Sequence, residues 1–268
     1  MVAIALLSAK GSPGVTTSAL ALSTVWPGVH PNRRVLLVEA DAAGGDIASG
    51  YLRGTLDGSR GLPALAAQRS LDPVGAVWDQ VLALDASGQR FLLPGLTDPR
   101  QAVSVGAAWA TLAAALQGLG DQDPPIDVLL DLGRMRTAHE DLALRRRADH
   151  VVLVTGSSLP AVVAARAAAT ELNDVGANDR RTAVSCLVVG EHRPYCAGEI
   201  SEAIGLPVLG VLPHDARSAA VFSSGAPAGR RLSQAPLLRA AYSLANRLLE
   251  PISAVSVTPP STVGVSGG

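Results

Sequence analysis

Apolar residues in this chain gather in short unbroken runs rather than alternating with polar ones. Residues 2–7 (V-A-I-A-L-L), 34–39 (R-V-L-L-V-E), 91–93 (F-L-L), 126–132 (I-D-V-L-L-D-L), 150–155 (H-V-V-L-V-T), 183–189 (A-V-S-C-L-V-V) and 207–212 (P-V-L-G-V-L) follow this pattern. Such runs predict strands buried on both faces. Helical patterns lie between them. One covers 16–25 and should stop at Trp26-Pro27-Gly28. Others cover 102–119, end across 141–147, cover 159–172, and close the fold as an amphipathic stretch at 234–249. Residues 50–88 alternate short helical patterns with Gly and Pro breaks. Strands alternating with helices predict an α/β fold: a doubly wound, mostly parallel sheet with helices on both faces. Residues 1–250 read as one domain. Residues 251–268 carry no charge and are mostly Ser, Thr, Val, Pro and Gly, which predicts a disordered tail.

In a doubly wound sheet, ligands bind at the carboxyl ends of the strands. Four segments follow strands directly and should share that edge. They are the loop after residue 7, the turn A-D-A-A-G-G-D at 40–46, Asp131, and the loop at Pro213. The first reads K-G-S-P-G-V-T-T over residues 10–17. A tight Gly turn leading into a helix points free backbone N–H groups and a positive dipole end at an anion. Gly11 and Gly14 permit close approach of a phosphate, while Thr16 is placed for Mg²⁺ and Thr17 for a phosphate oxygen. Against the ordinary pattern G-x-x-x-x-G-K-[ST] the match is poor, since Ala9 replaces the first Gly and Val15 the lysine.

The segment resembles more closely the deviant loop K-G-G-x-G-K-[ST]-T of the MinD/ParA family of P-loop ATPases, with Lys10 at the family's signature lysine. The resemblance runs over about residues 1–250. Residues 35–41 (V-L-L-V-E-A-D) look like the family's strand ending in D-x-D, with Glu39 and Asp41 at the acidic positions. Residues 127–131 (D-V-L-L-D) look like its Walker B strand, and 205–215 (G-L-P-V-L-G-V-L-P-H-D) like its late strand and adenine-side loop. The resemblance implies a P-loop NTPase fold, with ATP and Mg²⁺ as cofactors. Residue by residue, it implies that Lys10 touches phosphates, in many relatives across a nucleotide-sandwich dimer. Gly11, Ser12, Gly14, Val15, Thr16 and Thr17 cradle the nucleotide, and Thr16 and Asp131 hold the metal. Asp41 orients the attacking water, and Pro213 and Asp215 border the adenine. Three positions depart from the family: Val15, Gly190 in place of an Asn, and Leu132-Gly133-Arg134 after the Walker B Asp. Arg134 is a candidate for substitute positive charge.

Composition sharpens this picture at one point. Lys10 is the only lysine among 22 basic residues. Arg replaces Lys easily except where a compact ammonium must fit, so its place in the Gly loop argues for function. The 22 basic and 23 acidic residues leave a net charge of −1, which argues against a protein that coats nucleic acid. The run Arg145-Arg146-Arg147, and likewise Arg230-Arg231, reads first as a solvated basic stretch and second as a contact for DNA or an acidic partner. Cys186 and Cys196 read as free thiols. No run of ~18 apolar residues could span a membrane, the uncharged tail offers no basic amphipathic anchor, and a cytoplasmic location is expected. The leading expectation is an ATP-binding, dimerising switch that positions or regulates an unidentified protein partner, with weak or slow hydrolysis. A pseudo-ATPase scaffold is the alternative, and a nonspecific DNA-binding partition ATPase ranks below both.

Overall fold

The computed structural model describes residues 1–250 except 12, 57, 69, 99, 102–104, 136–141, 179–181 and 191–193; the side chains of 107 and 174–178 are also undescribed. Ser12, His139, Asp141, His192 and the tail after Glu250 therefore lie outside the described residues.

Eight strands form one sheet in the order β3-β4-β2-β5-β1-β6-β7-β8. They are β1 (Ala3–Ser8), β2 (Arg34–Glu39), β3 (Leu82–Ala83), β4 (Arg90–Leu93), β5 (Ile126–Arg134), β6 (His150–Gly156), β7 (Ala183–Val189) and β8 (Val208–Leu212). All pairings are parallel except β3 with β4. The seven apolar runs are all strands of this sheet. The two-residue β3 is too short to leave a pattern in the sequence.

The helices are α1 (Val15–Val29), α2 (Leu62–Ala67), α3 (Pro73–Trp78), α4 (Gly106–Leu119), α5 (Leu142–Arg145), α6 (Leu159–Asn178), α7 (Ala197–Ile204), α8 (Ala216–Ser224) and α9 (Pro236–Leu249). Side chains alternate across each strand, so the sheet feeds two cores. Ile4, Leu6, Val35, Leu37 and Leu129 pack with α1 and α9. Ala5, Leu7, Leu36, Val38, Val128 and Leu130 pack with α4, α6 and α7 on the other face. No helix among the described residues is long and apolar enough to cross a membrane.

Two local expectations are corrected. First, α1 does not stop at Trp26 but runs through Pro27 to Val29. Proline at 27 cannot donate to the Ser23 carbonyl; Arg90 Nε from β4 donates to it instead, at 3.0 Å. Trp26 is fully buried, and its Nε1 donates to Asp127 Oδ2 at 3.1 Å. Second, the run 145–147 is not a uniform basic surface. Arg145 is fully buried and ion-paired with Glu171 at 3.5 Å, while Arg146 and Arg147 are exposed.

Asp127, at the amino end of β5, is a structural hub. Its carboxylate accepts from Val2 N (2.8 Å), Trp26 Nε1 (3.1 Å) and Arg33 Nε (2.8 Å), and pairs with His30 Nδ1 (2.7 Å). Those contacts join the start of β1, the end of α1 and the approach to β2 at the edge opposite the Gly loop.

Candidate nucleotide site

The Gly loop leaves the carboxyl end of β1 and enters α1 through Gly14, whose φ of 90° and ψ of 34° lie in the left-handed region. Only glycine adopts that conformation without strain. With Gly14 as N-cap and no side chain capping α1, the first amides of a 15-residue helix are open to an anion. The Gly14 carbonyl is anchored from within the helix, by Ser18 N at 2.9 Å and Ser18 Oγ at 2.7 Å.

A cleft of about 600 Å³ opens beside this loop. Gly11, Pro13, Gly14, Val15, Thr16 and Thr17 form one wall. Asp41, Gly133 and Arg134 come from the ends of β2 and β5; Asp46, Ser49 and Gly50 from the loop after β2; and Phe222, Ser223 and Ser224 from the end of α8. The sequence singled out the first wall, Asp41 and Asp131 as site residues. The 46–50 segment and the end of α8 were missed as cleft walls. Their signal was the glycines. A Cβ on Gly50 would fall 2.2 Å from the Ser223 carbonyl oxygen, and one on Gly225 would fall 2.5 Å from Arg53 Cγ. Glycine thus lets the 46–54 loop dock on α8 and close the cleft's far side.

Asp131 lies beneath the cleft, fully buried. Its Oδ1 accepts the Gly133 N–H at 3.1 Å. The Thr16 hydroxyl approaches and favours the charged form, yet Oδ2 has no hydrogen bond of normal geometry among the described residues. Burial pushes the Asp131 carboxyl up to about 6, with Asp41 and Asp46 adding to the rise and Thr16 and Gly133 opposing it. A buried carboxylate oxygen without a partner, beside a threonine hydroxyl and an anion-ready helix end, fits a hard divalent cation. The residues present therefore suit Mg²⁺, and Thr16 and Asp131 are the ones that would hold it.

Glu39 is turned away from the cleft. Its Oε1 accepts Ile47 N at 2.8 Å and its Oε2 accepts Gly95 N at 2.9 Å. Burial raises this carboxyl to about 7. It clamps the turn that presents Asp41 and Asp46.

Three predicted residues stand elsewhere. Lys10 is exposed and does not line the cleft; it lines an adjacent depression with Thr155, Gly156, Ser158 and Pro160. Asp215 caps α8 through Ser218 N at 3.1 Å and borders a separate cavity with Arg217, Arg230 and Arg231. Pro213 is half-buried, and neither it nor Asp215 lines the cleft. Val15 lines the cleft but is 6% exposed, packed with the Ile4 and Leu6 core.

No protein-family model matches the sequence, and no curated protein sequence matches it. Solved structures do match. The septum site-determining protein MinD of Pyrococcus horikoshii, in complex with Mg-ADP, is 18% identical with a TM-score of 0.71, over 93% of this chain and 96% of that one. A ParA family ATPase from Chlorobium tepidum is 14% identical with a TM-score of 0.68, over 91% and 97%. The ATP complex of a Cyanothece McdA variant is 17% identical with a TM-score of 0.63, over 92% and 95%. At such identities the likeness is one of architecture: the chain has the MinD/ParA-like P-loop NTPase fold.

Proposed function

We propose that this chain is an ATP-binding, dimerising switch of the MinD/ParA type, which hydrolyses ATP weakly or slowly and positions or regulates a protein partner. The observation that carries the reading is the pairing of an uncapped, glycine-initiated helix end with the orphaned Oδ2 of Asp131, buried directly behind the cleft residues Thr16 and Gly133. One half suits phosphate and the other suits the metal that accompanies it. The solved structures with Mg-ADP and ATP support the ligand class.

In this reading the amides at the start of α1 and the Thr17 hydroxyl hold phosphate oxygens. Thr16 and Asp131 would hold Mg²⁺, which would supply neutralisation of phosphate charge. Asp41, at the mouth of the cleft, orients the attacking water. Its Oδ1 is fixed by Ala43 N at 2.7 Å. Hydrolysis is slow because Val15 supplies no charge where transfer develops it. Lys10 points out of its own cleft, and beside it Leu159 and Val163 are 56% and 61% exposed at the start of α6. Spaced four apart, they share a helix face. Exposed apolar surface next to the outward lysine supports a second copy docking there, bringing its Lys10 to this nucleotide.

Calorimetric titration with MgATP and MgADP tests the binding, phosphate release tests the chemistry, and sedimentation with and without MgATP tests the dimer. Binding with slow turnover and ATP-dependent dimerisation is the expected result. Binding without turnover selects the pseudo-ATPase scaffold, which the burial of Val15 favours. No binding at millimolar MgATP refutes the switch.

A further inference from the structure

A bound triphosphate would bring several negative charges into a cleft already lined by Asp41 and Asp46, with Asp131 buried behind it. Beyond Mg²⁺ and a second copy's Lys10, a cation of this chain's own cleft would offset them. Val15 cannot, being apolar and packed into the core. Lys10 faces the adjacent depression. Among the described residues that line the cleft, Arg134 is the one cation.

We infer that Arg134 is the phosphate-facing cation of this cleft, supplying from the end of β5 the charge that the Gly loop lacks; the inference rests on the nucleotide reading above. Arg134 is exposed, and it has no hydrogen bond or ion pair to a described residue. Four arginines elsewhere in the chain are committed to partners: Arg33 to Asp127, Arg90 to Ser23, Arg100 to Asp98 and Arg145 to Glu171. Its backbone is also fixed where the role requires it. Arg134 is the register partner of Ser8, the last residue of β1 before the Gly loop. The flanking residues hold that register, with Met135 N donating to Ser8 O at 2.8 Å and Ser8 Oγ to Gly133 O at 3.3 Å.

Position also selects which phosphate it serves. Arg134 follows Asp131 by three residues, so it belongs to the metal side of the cleft. A metal held by Thr16 and Asp131 would neutralise charge at the phosphate being transferred, so a cation on that side would meet the terminal phosphate. A guanidinium presents planar paired donors that match two phosphate oxygens at once, which a single ammonium does not.

The test is calorimetric titration of MgATP and MgADP into wild type, Arg134→Ala, Arg134→Gln and Arg134→Lys, with a melt of each protein free of nucleotide. Loss of one charge-assisted contact weakens MgATP by roughly 10- to 100-fold in the Ala and Gln variants. MgADP should change much less, Arg134→Lys should recover part of the loss, and the melts should coincide. Wild-type MgATP affinity in Arg134→Ala, or an equal loss for both nucleotides, overturns the inference and leaves the nucleotide reading intact. A wild type that binds neither nucleotide overturns both.

Discussion

The Cα of Gly133 lies against the carboxylate of Asp41, so closely that a β-carbon at 133 would sit 1.9 Å from Asp41 Oδ2. Gly133 also has a φ of 60°, a left-handed conformation that a side chain resists. Gly133→Ala must therefore strain the backbone and evict Asp41. We expect a stability loss of about 1–3 kcal/mol, read as a lower midpoint in urea, with reduced nucleotide turnover. Alanine accepted with an unchanged midpoint would show that Asp41 moves aside freely.

Asp127 and Asp131 share β5, four positions apart and thus on one face, yet replacing them should act in opposite directions. Asp127 is fully partnered, so Asp127→Ala strands Trp26, His30 and Arg33 and should cost about 3–5 kcal/mol. Asp131 carries an unpaired buried oxygen. Asp131→Asn removes a buried charge, so it should raise the melting temperature of the nucleotide-free protein while abolishing any stabilisation by Mg²⁺ with ATP. Thermal melts of the two variants, with and without MgATP, check both signs.

The exposed pair on α6 gives a prediction separable from folding. Leu159→Glu with Val163→Glu leaves the melt nearly unchanged, because both side chains already face solvent. It should abolish ATP-dependent dimerisation in sedimentation while leaving the cleft itself intact. Lys10→Ala should follow the same pattern, weakening the assembled state more than binding to a single copy.

Acid sensitivity should come partly from His150. It is 7% exposed on the α9 face of β6, with no hydrogen bond at either ring nitrogen among the described residues. Burial lowers its pKa below the usual 6.5, against a smaller opposing pull from Asp149. The unfolded chain therefore takes up this proton first as pH falls. The stability contribution is whole above about 6.5 and is lost as pH drops toward the lowered folded value. Asp131 and Glu39, raised by burial, drive the reverse trend, so the measurement is the difference between wild type and His150→Leu across pH 5–8. The wild-type curve should fall more steeply on the acid side.

What the sequence revealed depended on whether the deciding partner was local. The buried strands were legible because a strand covered on both faces must be apolar throughout. The Gly loop was legible because an anion-binding helix start needs glycines and hydroxyls at fixed spacing. The end of α1 was not, because the group that satisfies Ser23's carbonyl is Arg90, 67 positions away. Asp127 was read only as the first residue of the 127–131 strand, and its role as an anchor of the opposite edge of the sheet rests on Val2, Trp26, His30 and Arg33, all distant in sequence. The cleft's outer wall was hidden for a similar reason: Gly50 and Ser223 meet only through the topology. Arg145 shows the limit of reading charge runs, since its partner Glu171 lies on another helix.

The strand order also constrains how this chain comes into being. The first two strands of this sheet in chain order, β1 and β2, are not neighbours; β5 lies between them and pairs with both. After β2, residues 40–125 must still be synthesised before either can bury its edge next to that partner. Long-range parallel pairing is slow, and unpaired apolar strands invite association. A nascent chain halted before residue 126 should therefore need a chaperone, whereas one released past Gly156 already holds the central four strands β2, β5, β1 and β6.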